Sequence, residues 1–267
     1  MITLVAWILA VSTAPAGGAP PPVIPAYAHN DYQNERPLSD ALELGFRGVE
    51  VDYFLIDGEL RVGHDTGETR PGRTVESLYL GPLRRRVREY GAVRPGGGVF
   101  ILNIESKMAG RPSYDALHDL LSRYDDILTV VRSGVETPGA VQVILVGWHP
   151  PLDTLAAQPV RYAAVQAHYR DLPPDHERYP AHLLKLLSQN YNDKLLTRNG
   201  GAASPRLHRR LEALKTAARA VPGRWVRVYN VPTRPDVYRE LLDCGVDLIG
   251  TKDIVGAQRI LSRMVDR

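Results

Sequence analysis

The feature that most narrows the fold is a set of eight short apolar segments, spaced by helix-compatible stretches along almost the whole chain. The segments are Val23–Ala28, Gly48–Leu55, Val99–Ile104, Val141–Val146, Arg161–Gln166, His182–Ser188, Trp225–Val231 and Val246–Gly250. Helices are expected over Pro37–Leu44, Thr74–Tyr90, Tyr114–Val131, Pro205–Arg219, Pro235–Asp243 and Ile254–Val265. Gly45 and Gly245 stand where a helix C-terminus favours glycine. Most of the apolar runs lack strict alternation, as strands covered on both faces do. Eight strand–helix units point to one α/β domain, a parallel (β/α)8 TIM barrel. An open doubly wound sheet is the competing architecture, but no Gly-rich dinucleotide fingerprint follows the first strand. The Leu-rich run His182–Ser188 is also compatible with a helix. Asp57-Gly58 predicts a tight turn, with Gly58–Val62 returning as a short hairpin strand.

Length and charge set looser bounds. A chain of 267 residues, 44% apolar, is long enough for one large barrel. A net charge of +3 suits a small anionic substrate and leaves room for contact with a phospholipid surface; no nucleic-acid partner is expected. The lone Cys244 excludes an intramolecular disulfide and a cysteine-based metal knuckle. Ile2–Val11 is apolar but too short to span a bilayer. With the small residues Ala14-Pro15-Ala16 after it, the run fits a signal for export, secreted or periplasmic. Residues 1–22 are therefore assigned as leader and Pro-rich spacer, and 23–267 as the barrel domain.

In a barrel of this kind the chemistry sits where strands end. Glu50 and Asp52 occupy alternate positions of an apolar run, so both point to one face. Two adjacent buried carboxylates suit a hard divalent cation, Mg²⁺ or Ca²⁺. Glu105 ends the next apolar run and offers a third oxygen ligand, and Lys107 shares its face. His29 and His64 follow apolar runs on either side and can carry a proton to or from an oxygen near that ion. Asp65 is expected to orient the His64 ring. His149 and His168 also follow strands and are weaker candidates for the same mouth. Arg84–Arg88 reads as the solvated face of a helix. Together these residues suggest metal-assisted chemistry on a phosphate ester.

The ordered motifs resemble the glycerophosphodiester phosphodiesterases of the phosphatidylinositol phospholipase C-like superfamily. They are the strand-end His29, Gly48-Val49-Glu50-Val51-Asp52, Asp57-Gly58-Glu59-Leu60, Val62-Gly63-His64-Asp65, Asn103-Ile104-Glu105-Ser106-Lys107 and the C-terminal Gly245-Val246-Asp247 to Thr251-Lys252-Asp253. The resemblance implies His29 and His64 as general acid and base. It also implies Glu50, Asp52 and Glu105 as ligands of Mg²⁺ or Ca²⁺, and Lys107, with Asn30, against the substrate. It admits a first attack by a neighbouring substrate hydroxyl, which would give a cyclic phosphate. The chain departs from the family where Asn30-Asp31 replace its Arg-Gly and where Tyr229-Asn230 replace its tryptophan. Loss of that arginine removes a bidentate phosphate donor and leaves Lys107 as the expected main cation of the site. The His-Asn-Asp-Tyr form resembles a branch of the superfamily apart from the glycerophosphodiester enzymes proper.

The reading is thus a metal-dependent phosphodiester hydrolase acting on a small phosphodiester or a phospholipid-derived substrate. Three alternatives remain: a phospholipase C- or D-like lyase, a glycoside hydrolase using the carboxylates, and a binding protein that has lost turnover. A glycosidase would need no metal and would want aromatic platforms, against 7% aromatic content.

Overall fold

Parallel strands close on themselves around a lumen filled by side chains. The computed structural model describes residues 21–192 and 204–265; of the expected leader and spacer, residues 1–22, the first 20 lie outside them. The strands are β1 (Ile24–Ala28), β2 (Phe46–Ile56), β3 (Glu59–Val62), β4 (Phe100–Ser106), β5 (Val130–Arg132), β6 (Val135–Thr137), β7 (Val141–Gly147), β8 (Val160–Arg161), β9 (Ala163–His168), β10 (Leu184–Asn190), β11 (Trp225–Tyr229) and β12 (Leu248–Thr251). The order β1-β12-β11-β10-β9-β7-β4-β2 is closed by the β1–β2 pairing into an eight-stranded barrel. All eight contacts around it are parallel. The β3 hairpin returns antiparallel on β2, as the Asp57-Gly58 turn predicts. The helices are α1 (Ser39–Glu43), α2 (Gly81–Tyr90), α3 (Arg111–Ser122), α4 (Leu152–Ala156), α5 (Pro205–Ala220), α6 (Pro235–Asp243) and α7 (Ile254–Val265). Among the described residues, no helix is long and apolar enough to cross a membrane.

The core has two parts. The larger lies between barrel and helices and holds residues such as Val49, Val51, Leu102, Ile104, Leu211 and Leu241. A smaller cluster of Tyr27, Ile101, Ile144, Leu186 and Leu248 shares the alternate strand positions that face the lumen. Each fully buried aliphatic side chain contributes about 1.5–3 kcal/mol. Two residues further along the same faces come Asn103 on β4, Ser188 on β10 and His29 beyond β1. An apolar plug therefore seals the lower lumen, and polar side chains collect above it at the C-terminal mouth.

Four expectations need correction. The helix expected over Tyr114–Val131 ends at Ser122. Asp125 and Asp126 would oppose the negative C-terminal end of a longer helix, and the β-branched Thr129, Val130 and Val131 favour extended backbone. The chain instead forms β5, which pairs antiparallel with β6 and β8 in a small second sheet. The strand expected over Arg161–Gln166 is divided for the same reason: Arg161 belongs to β8, and the barrel strand begins at Ala163. The helix expected from Thr74 opens as a wide π-type turn, Glu76–Leu80, before α2. Pro82 has no amide hydrogen to continue a regular ladder there. The run His182–Ser188 is strand from Leu184 onward, as part of β10, and the arginine run is more engaged than a solvated face. Arg84 and Arg88 pair with Asp126, and Arg84 also stacks on Tyr124, tying α2 to the turn after α3.

Candidate active site

β2 supplies the centre. Its pleat aims Glu50 and Asp52 into the lumen, 1% and 0% exposed. The β2–β4 register sets Asp52 directly beside Glu105, and Glu50 beside Asn103. One oxygen from each of Glu50, Asp52 and Glu105 lies within 4.8 Å of the others. The donor set fits a hard divalent ion, because three carboxylates converge and the buried Asp52 Oδ1 has no hydrogen-bond partner.

Backbone contacts then bring the other candidates in. The amide of Gly63 donates to the Asp52 carbonyl (3.2 Å), and that of Lys107 donates to the Tyr53 carbonyl (3.0 Å). His64 Nδ1 lies 3.0 Å from Asp52 Oδ2, and Lys107 Nζ lies 3.2 Å from both Asp52 Oδ2 and Glu105 Oε1. On the other side, the amide of His29 donates to the Thr251 carbonyl (2.9 Å), and its Nε2 lies 3.3 Å from Glu50 Oε1. Burial, together with the nearby charges of Arg227 and Lys252, drives the His29 imidazole down to about 3. Burial likewise pushes the Glu50 carboxyl up to about 7, against the pull of Arg227.

The candidates thus gather in one place, but with different partners from those expected. Asp65 does not orient His64. Its Oδ1 accepts from the amide of Gly67 (2.9 Å) and caps the turn Thr66–Glu68, leaving Asp52 as the carboxylate on the ring. Asn30 is buried with a left-handed backbone (φ 53°), and what it visibly supplies is the sharp turn after His29. That turn carries Tyr32, whose hydroxyl donates to Asp52 Oδ2 (2.9 Å). Asp31 pins the turn by accepting from the Leu38 amide (2.6 Å), the Tyr79 hydroxyl (3.0 Å) and Asn34 (3.1 Å). Burial outweighs these bonds and raises the Asp31 carboxyl to about 6.

Lys107 is not alone as a cation of the site. Arg227, on β11, reaches across the lumen to Glu50 Oε2, and both side chains are 2% exposed. Its Nε donates to the Tyr27 hydroxyl (2.6 Å) and its Nη1 to Gln166 Oε1. The signal was present in Trp225-Val226-Arg227-Val228-Tyr229, where alternation sets an arginine between two aromatics on one face of an apolar strand. Tyr32 carried no comparable pattern, since it lies in an irregular turn.

Above the floor opens a cavity of about 1000 Å³, lined by His29, Glu50, Glu105, Gln166, Arg227 and Tyr229 among others. Its far wall carries His149, His168 and Asn190, so both weaker histidine candidates reach the same mouth.

Residues 21–162 match the AIM6-like phosphodiesterase domain. The chain belongs to this family. Among curated relatives, the altered inheritance of mitochondria protein 6 homolog of Arthroderma benhamiae is 25% identical over 266 residues, covering 88% of this chain and 83% of the relative. The altered inheritance of mitochondria protein 6 of Eremothecium gossypii is 25% identical over 264 residues, covering 85% of this chain and 67% of its own. The barrel is similar to that of an Oleispira antarctica phosphodiesterase solved with the product sn-glycerol-3-phosphate. That likeness has a TM-score of 0.52 at 15% identity, over 91% of this chain and 98% of the other. It bears on the fold alone.

Proposed function

We propose that this member of the AIM6-like phosphodiesterase family hydrolyses a small phosphodiester with a divalent cation held by Glu50, Asp52 and Glu105. The observation that carries the reading is the convergence of those three carboxylates with His29, His64 and Lys107 at the mouth of one barrel. The ion, when bound, polarises the phosphoryl oxygens and offsets negative charge gained in the transition state. His29 and His64 lie on opposite sides of the carboxylates, against Glu50 and Asp52 respectively. In this reading one takes the proton of the attacking water or substrate hydroxyl and the other returns a proton to the leaving alkoxide. Lys107 sets its ammonium against a phosphate oxygen, as a compact charge suits. The broad polar cavity beyond Tyr229 receives one alcohol group of the diester. The product bound to the Oleispira antarctica protein, sn-glycerol-3-phosphate, is consistent with a glycerol-bearing diester.

The test is a panel of glycerophosphodiesters and lysophospholipids, incubated with Mg²⁺, Ca²⁺ or a chelator and followed by ³¹P NMR. The expected result is a monoester or cyclic phosphate formed only with a divalent ion; the product identifies hydrolase or lyase. Turnover of glycosides, or phosphodiester cleavage unaffected by the chelator and by Glu105→Gln, overturns the proposal.

A further inference from the structure

Each carboxylate of the cluster already has at least one oxygen engaged. Asp52 Oδ2 faces three groups, Tyr32 at 2.9 Å, His64 at 3.0 Å and Lys107 at 3.2 Å. Glu105 Oε1 faces Lys107 at 3.2 Å. Glu50 Oε2 is held by Arg227, and Glu50 Oε1 faces His29 Nε2 at 3.3 Å. These restraints differ in rigidity. The His64 side chain is 54% exposed and that of Lys107 is 18% exposed, so both can shift when a ligand enters. Arg227 is locked. Besides Glu50 it bonds Tyr27 and Gln166, and its guanidinium stacks on the rings of Tyr27 (4.5 Å) and Tyr229 (5.0 Å).

From this arrangement we infer that Arg227 is a specificity-determining residue for the metal: by keeping Glu50 Oε2, it restricts Glu50 to one-oxygen ligation and favours Mg²⁺ over Ca²⁺. The inference rests on the divalent-ion reading above. The physical reason lies in coordination demand. Ca²⁺ gathers more oxygens at longer distances and readily takes both oxygens of a carboxylate. Mg²⁺ requires near-octahedral geometry, keeps waters and accepts single oxygens from carboxylates and phosphate. A glutamate with one oxygen committed to a buried guanidinium removes the second contact that Ca²⁺ would use and costs Mg²⁺ nothing. The positive charge of Arg227 weakens both divalent ions alike, so it largely cancels in their ratio.

The experiment is calorimetric titration of the full chain, stripped by chelator, with MgCl₂ and with CaCl₂ in separate runs. In Arg227→Met the Ca²⁺ affinity should gain on that of Mg²⁺ by about tenfold, because Glu50 recovers its second oxygen. Arg227→Lys keeps a buried cation but loses the planar fork, and it serves if the methionine variant does not fold. It should shift the ratio in the same direction by a smaller factor. Glu105→Gln should weaken both ions with little change in ratio. A folded arginine variant with the wild-type ratio, or the same shift in Glu105→Gln, overturns the inference while leaving the metal reading intact. A wild-type chain that binds neither ion overturns both.

Discussion

The Glu50–Arg227 pair makes a stability prediction that needs no substrate. Both side chains are 2% exposed, and the pair sits among two further carboxylates. Arg227→Met leaves Glu50 buried beside Asp52 and Glu105, with His29 against its Oε1 and the Arg227 contact to its Oε2 lost. Removing one member of a buried ion pair typically costs about 3–5 kcal/mol. In a domain of this size each kcal/mol moves Tm by about 2–4 °C, so the variant should melt roughly 6–20 °C lower in the presence of chelator. Glu50→Met strands the guanidinium and should cost a similar amount. The double variant removes both charges and should recover at least about 2 kcal/mol relative to the sum of the single changes. Urea denaturation followed by circular dichroism gives the three differences. Added divalent ion should narrow the deficit of Arg227→Met, since the ion takes over the compensation of Glu50. Single variants that melt within about 2 °C of wild type, or a strictly additive double variant, would refute the reasoning.

The other predictions concern the remaining charged groups. His29→Ala and His64→Ala should each lower turnover by about 10²–10⁴-fold without loss of fold, and the wild-type rate should be bell-shaped in pH; two variants with ordinary turnover would show the rings to be structural. Lys107→Met should lower phosphodiester turnover by roughly 10²-fold and, because Asp52 is fully buried, cost about 1–3 kcal/mol in urea melts. The unfolded Asp31 carboxyl ionises near 3.8, whereas the folded one keeps its proton up to about 6. The folded state therefore binds more protons in that window, and stability should fall by about 3 kcal/mol as pH rises through it. Asp31→Asn should flatten that slope in denaturation curves taken across the window; an unchanged slope would contradict the assignment.

Much of this arrangement is readable in the chain because periodicity and chemistry coincide there. The alternation of Glu50 and Asp52 in an apolar run fixes their common face, and Glu105 on the neighbouring strand falls at the same height. The final helices are equally clear: Pro235 and Ile254 open them where local signals agree with tertiary packing. What escapes the sequence depends on contacts distant along the chain. Nothing local tells that His64 will lean on Asp52 rather than on the adjacent Asp65, since that choice is made when the β3 hairpin folds over β2. Tyr32 is hidden because an irregular turn has no period. Arg227 lies 177 residues from Glu50, and only closure of the barrel makes them neighbours. The β5 sheet escapes because Leu117, Leu120 and Leu121 continue a helical pattern up to the point where β-branched residues take over.

Gly250 gives the floor of the barrel a historical dimension. A side-chain carbon there would stand 2.1 Å from the Tyr27 hydroxyl, the group that steadies Arg227. Any larger residue at 250 must wait for Tyr27 to shrink, and shrinking Tyr27 first loosens the arginine. Mutational routes across this floor are therefore order-dependent: the same two changes are tolerated in one sequence and damaging in the other. A laboratory lineage selected for a new substrate should accumulate changes on the outer wall of the cavity long before it alters position 27, 227 or 250.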